Sequence, residues 1–375
     1  STELIDVQTG GRLWGENYNR LPSEIFAVEI DIATQVIKAL RLPPGAAQNR
    51  RFHKNYAANL QAHQDYLKGR YFYDKMSEED LRKSIAHFEA ALHEDPDYSL
   101  AYTGLANAYS LFAQLGILPR HDAYRRAKQL AMTALEIDDG LPEAHASLAS
   151  VNKLFDWDWP RAEAGYLKAL ELNPNYADAH HWYADYLSAM GRTEDALKEI
   201  QAALQLDPLS LVINMEVAWN LYLARDFSGA LEQSWKTLVL EPKLAAAQHT
   251  LGLAYEQLEM NDEALTEFQN AHVCSGGHPA AIAALGHAHA TAGRQDEAAQ
   301  AVRELDQLSQ RRNVSPYWRA IVYTGLGRDD LALESLEKAW DDRDVWLVWL
   351  KVEPRFDRLR SSARFDSLLQ KLRLQ

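Results

Sequence analysis

The chain has 375 residues, 47% of them hydrophobic and 25% charged, which excludes a disordered chain and leaves length for several domains or one long array. Its 39 basic and 53 acidic residues give a formal charge of −14. That balance argues against nucleic acid or an anionic membrane as the partner of this region, because both are held by Lys and Arg.

The first stretch, STELIDVQTGGRLWGENYN, has neither the basic nor the apolar region of a signal peptide. It also lacks an initiator Met, so the chain is expected to be cut from something longer. Two alternating segments, Thr2 to Val7 and Arg12 to Tyr18, flank Thr9-Gly10-Gly11 and predict a β-hairpin. Pro22-Ser23-Glu24 then opens an amphipathic helix with Ile25, Val28, Ile32, Val36 and Leu40 near one face, and Pro43-Pro44-Gly45 ends it. A lone hairpin plus helix is marginal in water, so residues 1–45 are expected to be the tail of an α/β domain. The short basic runs, Arg50-Arg51 with Lys54 and Arg125-Arg126 with Lys128, read as solvated helix surface or linker.

From about residue 60 the grammar changes to a repeat. Small residues recur at Ala106, Ala149, Ala184, Ala218, Gly252, Gly286 and Ala320, and again at Ala127, Ala162, Ala196, Ala230, Ala264, Ala298 and Ala332. After an initial longer interval in the first column, the spacing is 34 or 35 residues in both. Small side chains at fixed intervals let two antiparallel helices approach closely. The phrases LELNP, LQLDP and LVLEP place Pro174, Pro208 and Pro242 where second helices stop. One helix pair cannot bury its own apolar face, so neighbouring pairs must stack into a solenoid. The prediction is an all-α fold: a right-handed α-solenoid of about seven helix pairs over residues 46–345, carrying the N-terminal hairpin and helix.

Within the array, Tyr66 to Tyr71 with Ser84 to Ala91 is a divergent first repeat, and an inserted loop is expected around Gln114 to Pro119. In FDWDWP the turn between helices is one residue longer than in the other repeats; Trp157 and Trp159 read as packing residues and Asp158 as an N-cap. The repeat over 279–310 is degenerate, with Val302 and Leu305 where Phe or Ala is usual. Residues 346–375, ending in FDRLRSSARFDSLLQKL, predict amphipathic capping helices.

These spacings resemble the tetratricopeptide repeat (TPR) family. The full set of phrases, LIDVQTGGRLWGENYNR, YLKGRYF, FDWDW, AHHWYADYL and EPRFDRLRSSARFDSLLQKL, resembles the bacterial group of TPR proteins with a TolB-like N-terminal domain. The resemblance implies a sensory or regulatory module, often fused to a winged-helix, class III adenylate cyclase or Ser/Thr kinase output domain. It implies a non-catalytic protein-interaction scaffold, and with the single Cys274 and no apolar run of about 18 residues, a cytoplasmic one without a membrane span.

Asp178, His181 and Asp185 are spaced by three and four, so they share one helix face. In the repeat register that face lines the concave surface, and neighbouring repeats add Trp219, Tyr222, His249, Glu256 and His287. Aromatic and polar groups along a concave surface make a recognition strip for a protein or peptide segment. TPR members that clamp an acidic carboxylate tail use Asn with Lys and Arg. Here Asn107 stands at one such position, the basic residues are missing, and Asp178, Asp185 and Glu256 would repel that ligand. The expected partner is therefore neutral or basic. No catalytic residue, metal or cofactor is assigned. Two alternatives stand beside this reading: a metal-dependent or enzymatic module centred on Asp178, His181 and Asp185, and a self-association module that exchanges the hairpin edge between chains.

Overall fold

The computed structural model describes residues 2–6, 9–19, 28, 31–32, 35–36, 38–40, 60–75 and 77–374. Strands β1 (Thr2–Ile5) and β2 (Arg12–Glu16) pair antiparallel, with Thr2 opposite Glu16 and Leu4 opposite Trp14. Gly10 supplies the positive φ of 67° that the connecting turn requires. The helix expected over residues 25–40 falls largely outside the described residues, as do Arg50, Arg51 and Lys54.

Eight helix pairs follow among the described residues. They are α1 (Leu60–Tyr73) with α2 (Glu78–Glu94), α3 (Ser99–Gln114) with α4 (Arg120–Ile137), α5 (Pro142–Val151) with α6 (Trp159–Leu172), and α7 (Ala177–Ala189) with α8 (Thr193–Leu206). Then come α9 (Leu211–Leu223) with α10 (Phe227–Leu240), α11 (Ala245–Gln257) with α12 (Asn261–Cys274), α13 (Pro279–Thr291) with α14 (Gln295–Ser309), and α15 (Pro316–Gly325) with α16 (Asp329–Asp341). First helices also pack on the next first helices, which is the stacking of a solenoid.

The small-residue columns are the contact points. Ala106, Ala149, Ala184, Ala218 and Ala320 of the first helices are at most 1% exposed. Gly252 shows why size matters there: a Cβ on it would lie 2.6 Å from two ring carbons of Phe268, which is fully buried on α12. Helix propensity favours Ala over Gly by roughly 1 kcal/mol, whereas overpacking a rigid ring costs about 1–3 kcal/mol. Gly252→Ala is therefore expected to destabilise the protein by about 1 kcal/mol, against the propensity trend. Denaturant unfolding checks the sign, and a gain in stability would show that Phe268 can move.

The FDWDWP segment absorbs its extra residue as a π-helical turn over Asn152–Asp156, closed by Trp157 at φ 53°. Asp158 caps α6 by accepting from the backbone N–H of Arg161 at 3.2 Å. Trp157 stacks on Trp340 with ring centroids 4.8 Å apart, and Trp159 is buried.

After α16 the chain makes two 3-10 turns, Val345–Trp349 and Pro354–Leu359, and then helix α17 (Ala363–Leu372). α17 lies on α16, where Arg364 pairs with Glu337 at 2.8 Å. This terminal segment also turns back across the coil onto much earlier repeats. Asp344 meets Arg120 of α4 at 3.0 Å, and Lys351 donates to the Met190 carbonyl at 3.1 Å. Asp357 takes both guanidinium nitrogens of Arg225, at 2.6 and 2.7 Å. The superhelix has curled until its last turn touches its second to fifth pairs.

Candidate functional site

The first helices of the pairs surround an interior cavity of about 970 Å³, and residues of the segment 345–355 close it from the far side. Asp178, His181, Asp185, Trp219 and His249 line this cavity. Tyr222, Glu256 and His287 do not. Tyr222 is fully buried and donates its hydroxyl to Glu353 at 2.7 Å, and Glu256 pairs with His287 at 2.8 Å, both side chains buried. Three of the eight residues expected on the strip thus serve packing between first helices or against the C-terminal segment.

On the cavity wall, α5, α7 and α9 bring together four ionisable groups. Lys153 follows the last turn of α5, and its ammonium lies 3.6 Å from Asp185 of α7. His181, one turn before Asp185, approaches the same carboxylate at 3.8 Å. Asn220 of α9 donates to the other oxygen of Asp185 at 3.4 Å and is itself fixed by Ser188 at 2.6 Å. Glu216, two residues before the small Ala218 of α9, completes the group. Burial lowers the pKa of Lys153, with Asp185 and Glu216 acting against it. Burial, and next Asp185, raise that of Glu216 well above the usual carboxylate range. Burial also holds His181 down, so its ring is neutral at pH 7.

Ligand-type atoms of His181, Asp185 and Glu216 all lie within 4.8 Å of one another, the single such trio among the described residues. Asp178, expected in a metal set, is not part of it. The Lys153 ammonium already stands beside Asp185 as the local cation, so the chemistry of the group favours an ion pair over a metal. Farther along, His249 is pushed down to about 3 by burial and by Arg355. Arg355 and Glu353 form a buried ion pair at 2.9 Å.

Neither Lys153 nor Glu216 was foreseen. A signal for Glu216 exists: it is the sole charged residue of LVINMEVAWNLYL, the sequence of α9. Trp349, Glu353 and Arg355 carry no such signal, because they reach the site from the end of the chain.

Comparison with known proteins agrees with this architecture. The chain is 24% identical over 300 residues to the transcriptional regulator HilA of Salmonella typhimurium, covering 79% of this chain and 53% of HilA. It is 27% identical over 153 residues to putative adenylate cyclase 3 of Rhizobium meliloti, covering 40% of this chain and 26% of the cyclase. The chain therefore spans about half the length of the first relative and a quarter of the second. Among solved structures, a Rap protein complexed with competence and sporulation factor superposes with a TM-score of 0.56 at 15% identity, over 83% of this chain and 97% of that one. Residues 166–198 match the tetratricopeptide repeat family directly. That match is centred on the third and fourth helix pairs, and the same small-residue register runs through the pairs on either side, so the array is built of tetratricopeptide-type helix pairs.

Proposed function

We propose that this chain is a non-catalytic interaction module, the regulatory or sensory arm of a larger bacterial signalling protein, and that it takes a neutral or basic partner segment into the interior of its coil. The observation that carries this reading is the cavity of about 970 Å³, a volume suited to a short peptide segment, with Asp178, His181, Asp185, Trp219 and His249 on its wall. Solenoids use such concave surfaces for recognition. The relatives named as a transcriptional regulator and an adenylate cyclase are both longer, which fits an array joined to an output domain. Among the described residues no helix is long and apolar enough to cross a membrane, in keeping with a cytoplasmic module.

The test is selection of a random octapeptide phage library on the whole chain, followed by titration of the selected peptides. Asp178→Asn with Trp219→Leu keeps the size of one side chain and the apolar character of the other. That double variant is expected to weaken the selected peptides about tenfold or more, with an unchanged circular dichroism spectrum. Peptides that bind it as well as wild type sit elsewhere, and the reading falls.

A further inference from the structure

We propose that the cavity contains a recognition site for one cationic group, an alkylammonium or guanidinium on an apolar stem such as a Lys or Arg side chain, with Glu216 as its counter-charge and Trp219 and Trp349 as its walls. This rests on the interaction reading above and says what the bound segment must carry.

Two carboxyl groups, those of Asp185 and Glu216, face one ammonium, that of Lys153. Lys153 stands against Asp185 at 3.6 Å, while Glu216 lines the same cavity and its Oε2, shielded from solvent, has no hydrogen-bond partner. A buried acceptor without a donor is costly, and an entering N–H donor removes that cost. A second cation beside Glu216 favours its ionised form, the proton passing to solvent, and with Lys153 and Asp185 gives an alternating set of four charges. His181 adds none, because burial keeps its ring neutral.

The walls select the same sign. The Trp349 ring centroid is 5.9 Å from the Lys153 ammonium, and Trp219 meets Trp349 edge to face at 5.6 Å. Indole faces attract a cation and pack an apolar stem, and they offer an anion nothing. Farther out, Asp74, Glu143, Asp178 and Asp207 line the cavity against Arg70, while Arg355 is spent on Glu353. The field inside the coil is therefore negative, and a low-dielectric wall concentrates it.

With only Lys153 to oppose them, burial and the neighbouring Asp185 push the Glu216 carboxyl well above the usual carboxylate range, toward its neutral form. Glu216→Gln closely copies the shape and charge of the neutral carboxyl, so the variant should fold as wild type does.

The experiment takes octapeptides selected from the random phage library on the whole chain. Each is synthesised with its Arg replaced by citrulline or its Lys by norleucine, and each is titrated against wild type and Glu216→Gln. The expected result is that cavity binders carry Arg or Lys. The neutral isostere and Glu216→Gln should each weaken binding roughly thirtyfold, and the two together little more than either alone. Binders that are sensitive to Asp178→Asn with Trp219→Leu but lack a basic residue, or that ignore Glu216→Gln, overturn this inference and leave the interaction reading standing. Absence of any cavity-binding peptide overturns both.

Discussion

Replacing Glu353 by Ala is expected to destabilise the protein by about 3–5 kcal/mol, the cost of removing one partner of a buried ion pair. Glu353 is fully buried, and its carboxylate accepts from Arg355 Nε at 2.9 Å, from Arg355 Nη2 at 3.0 Å and from the Tyr222 hydroxyl at 2.7 Å. Without it, the Arg355 guanidinium is left as an unpaired charge in the core and Tyr222 loses its acceptor. The same carboxylate joins the C-terminal segment to α9, so the variant should also loosen the closure of the cavity. Equilibrium unfolding in urea measures the loss, and a cost under about 1 kcal/mol would mean that Arg355 finds water or another acceptor.

The pH dependence follows with a definite sign. Burial by itself would raise the pKa of Glu353, but the Arg355 guanidinium, helped by the hydrogen bonds from Arg355 and Tyr222, outweighs it and holds the carboxyl below its usual range. A carboxyl whose folded pKa is depressed contributes stability that is fully present above its unfolded value, near 4.3, and is lost as pH falls through the folded value. The gap in stability between wild type and Glu353→Ala should therefore be constant from neutral pH down to about 5 and shrink below about 4. A gap that widens on acidification would contradict the pairing.

Trp159→Ala should cost a similar amount, about 3–5 kcal/mol, by removing the largest side chain at the start of α6. The indole is 4% exposed and donates to the Leu372 carbonyl at 2.6 Å, a contact spanning 213 residues of sequence. Trp159→Phe separates the two contributions. It keeps most of the ring and loses the donor, so about 1 kcal/mol is expected for the hydrogen bond alone. Amide hydrogen exchange supplies the second readout: α17 should exchange faster in both variants, because its last turn loses an anchor. If α17 exchanges at the wild-type rate in Trp159→Ala, the indole does not hold the C-terminus in place.

Much of the array was legible because its cause is local. A helix pair needs small side chains where its backbones approach, so Ala149 and Ala162, or Ala218 and Ala230, announce a pair wherever they stand. The spacing even located the irregularity at FDWDWP, since one residue too many must be taken up as a bulge, and Asp158 before Trp-Pro marked the next helix start. The strip was only half legible. Asp185, Trp219 and His287 occupy the same step after the small residue of their helices, yet the first two line the cavity and His287 pairs with Glu256. Register fixes which face of its own helix a residue occupies. It does not fix what covers that face.

The sequence by itself determined the repeat, its boundaries between helices and the residues that pack each pair, because those depend on neighbours within about one repeat length. Only the tertiary structure decided that Lys153, Asp185 and Glu216 converge, and that residues 344–359 turn back onto α4, the end of α7 and α9 to close the interior. The curl of the coil accumulates from a small rotation at every interface between pairs. No single repeat encodes that sum, and the contacts between the ends of the chain exist only once it is complete.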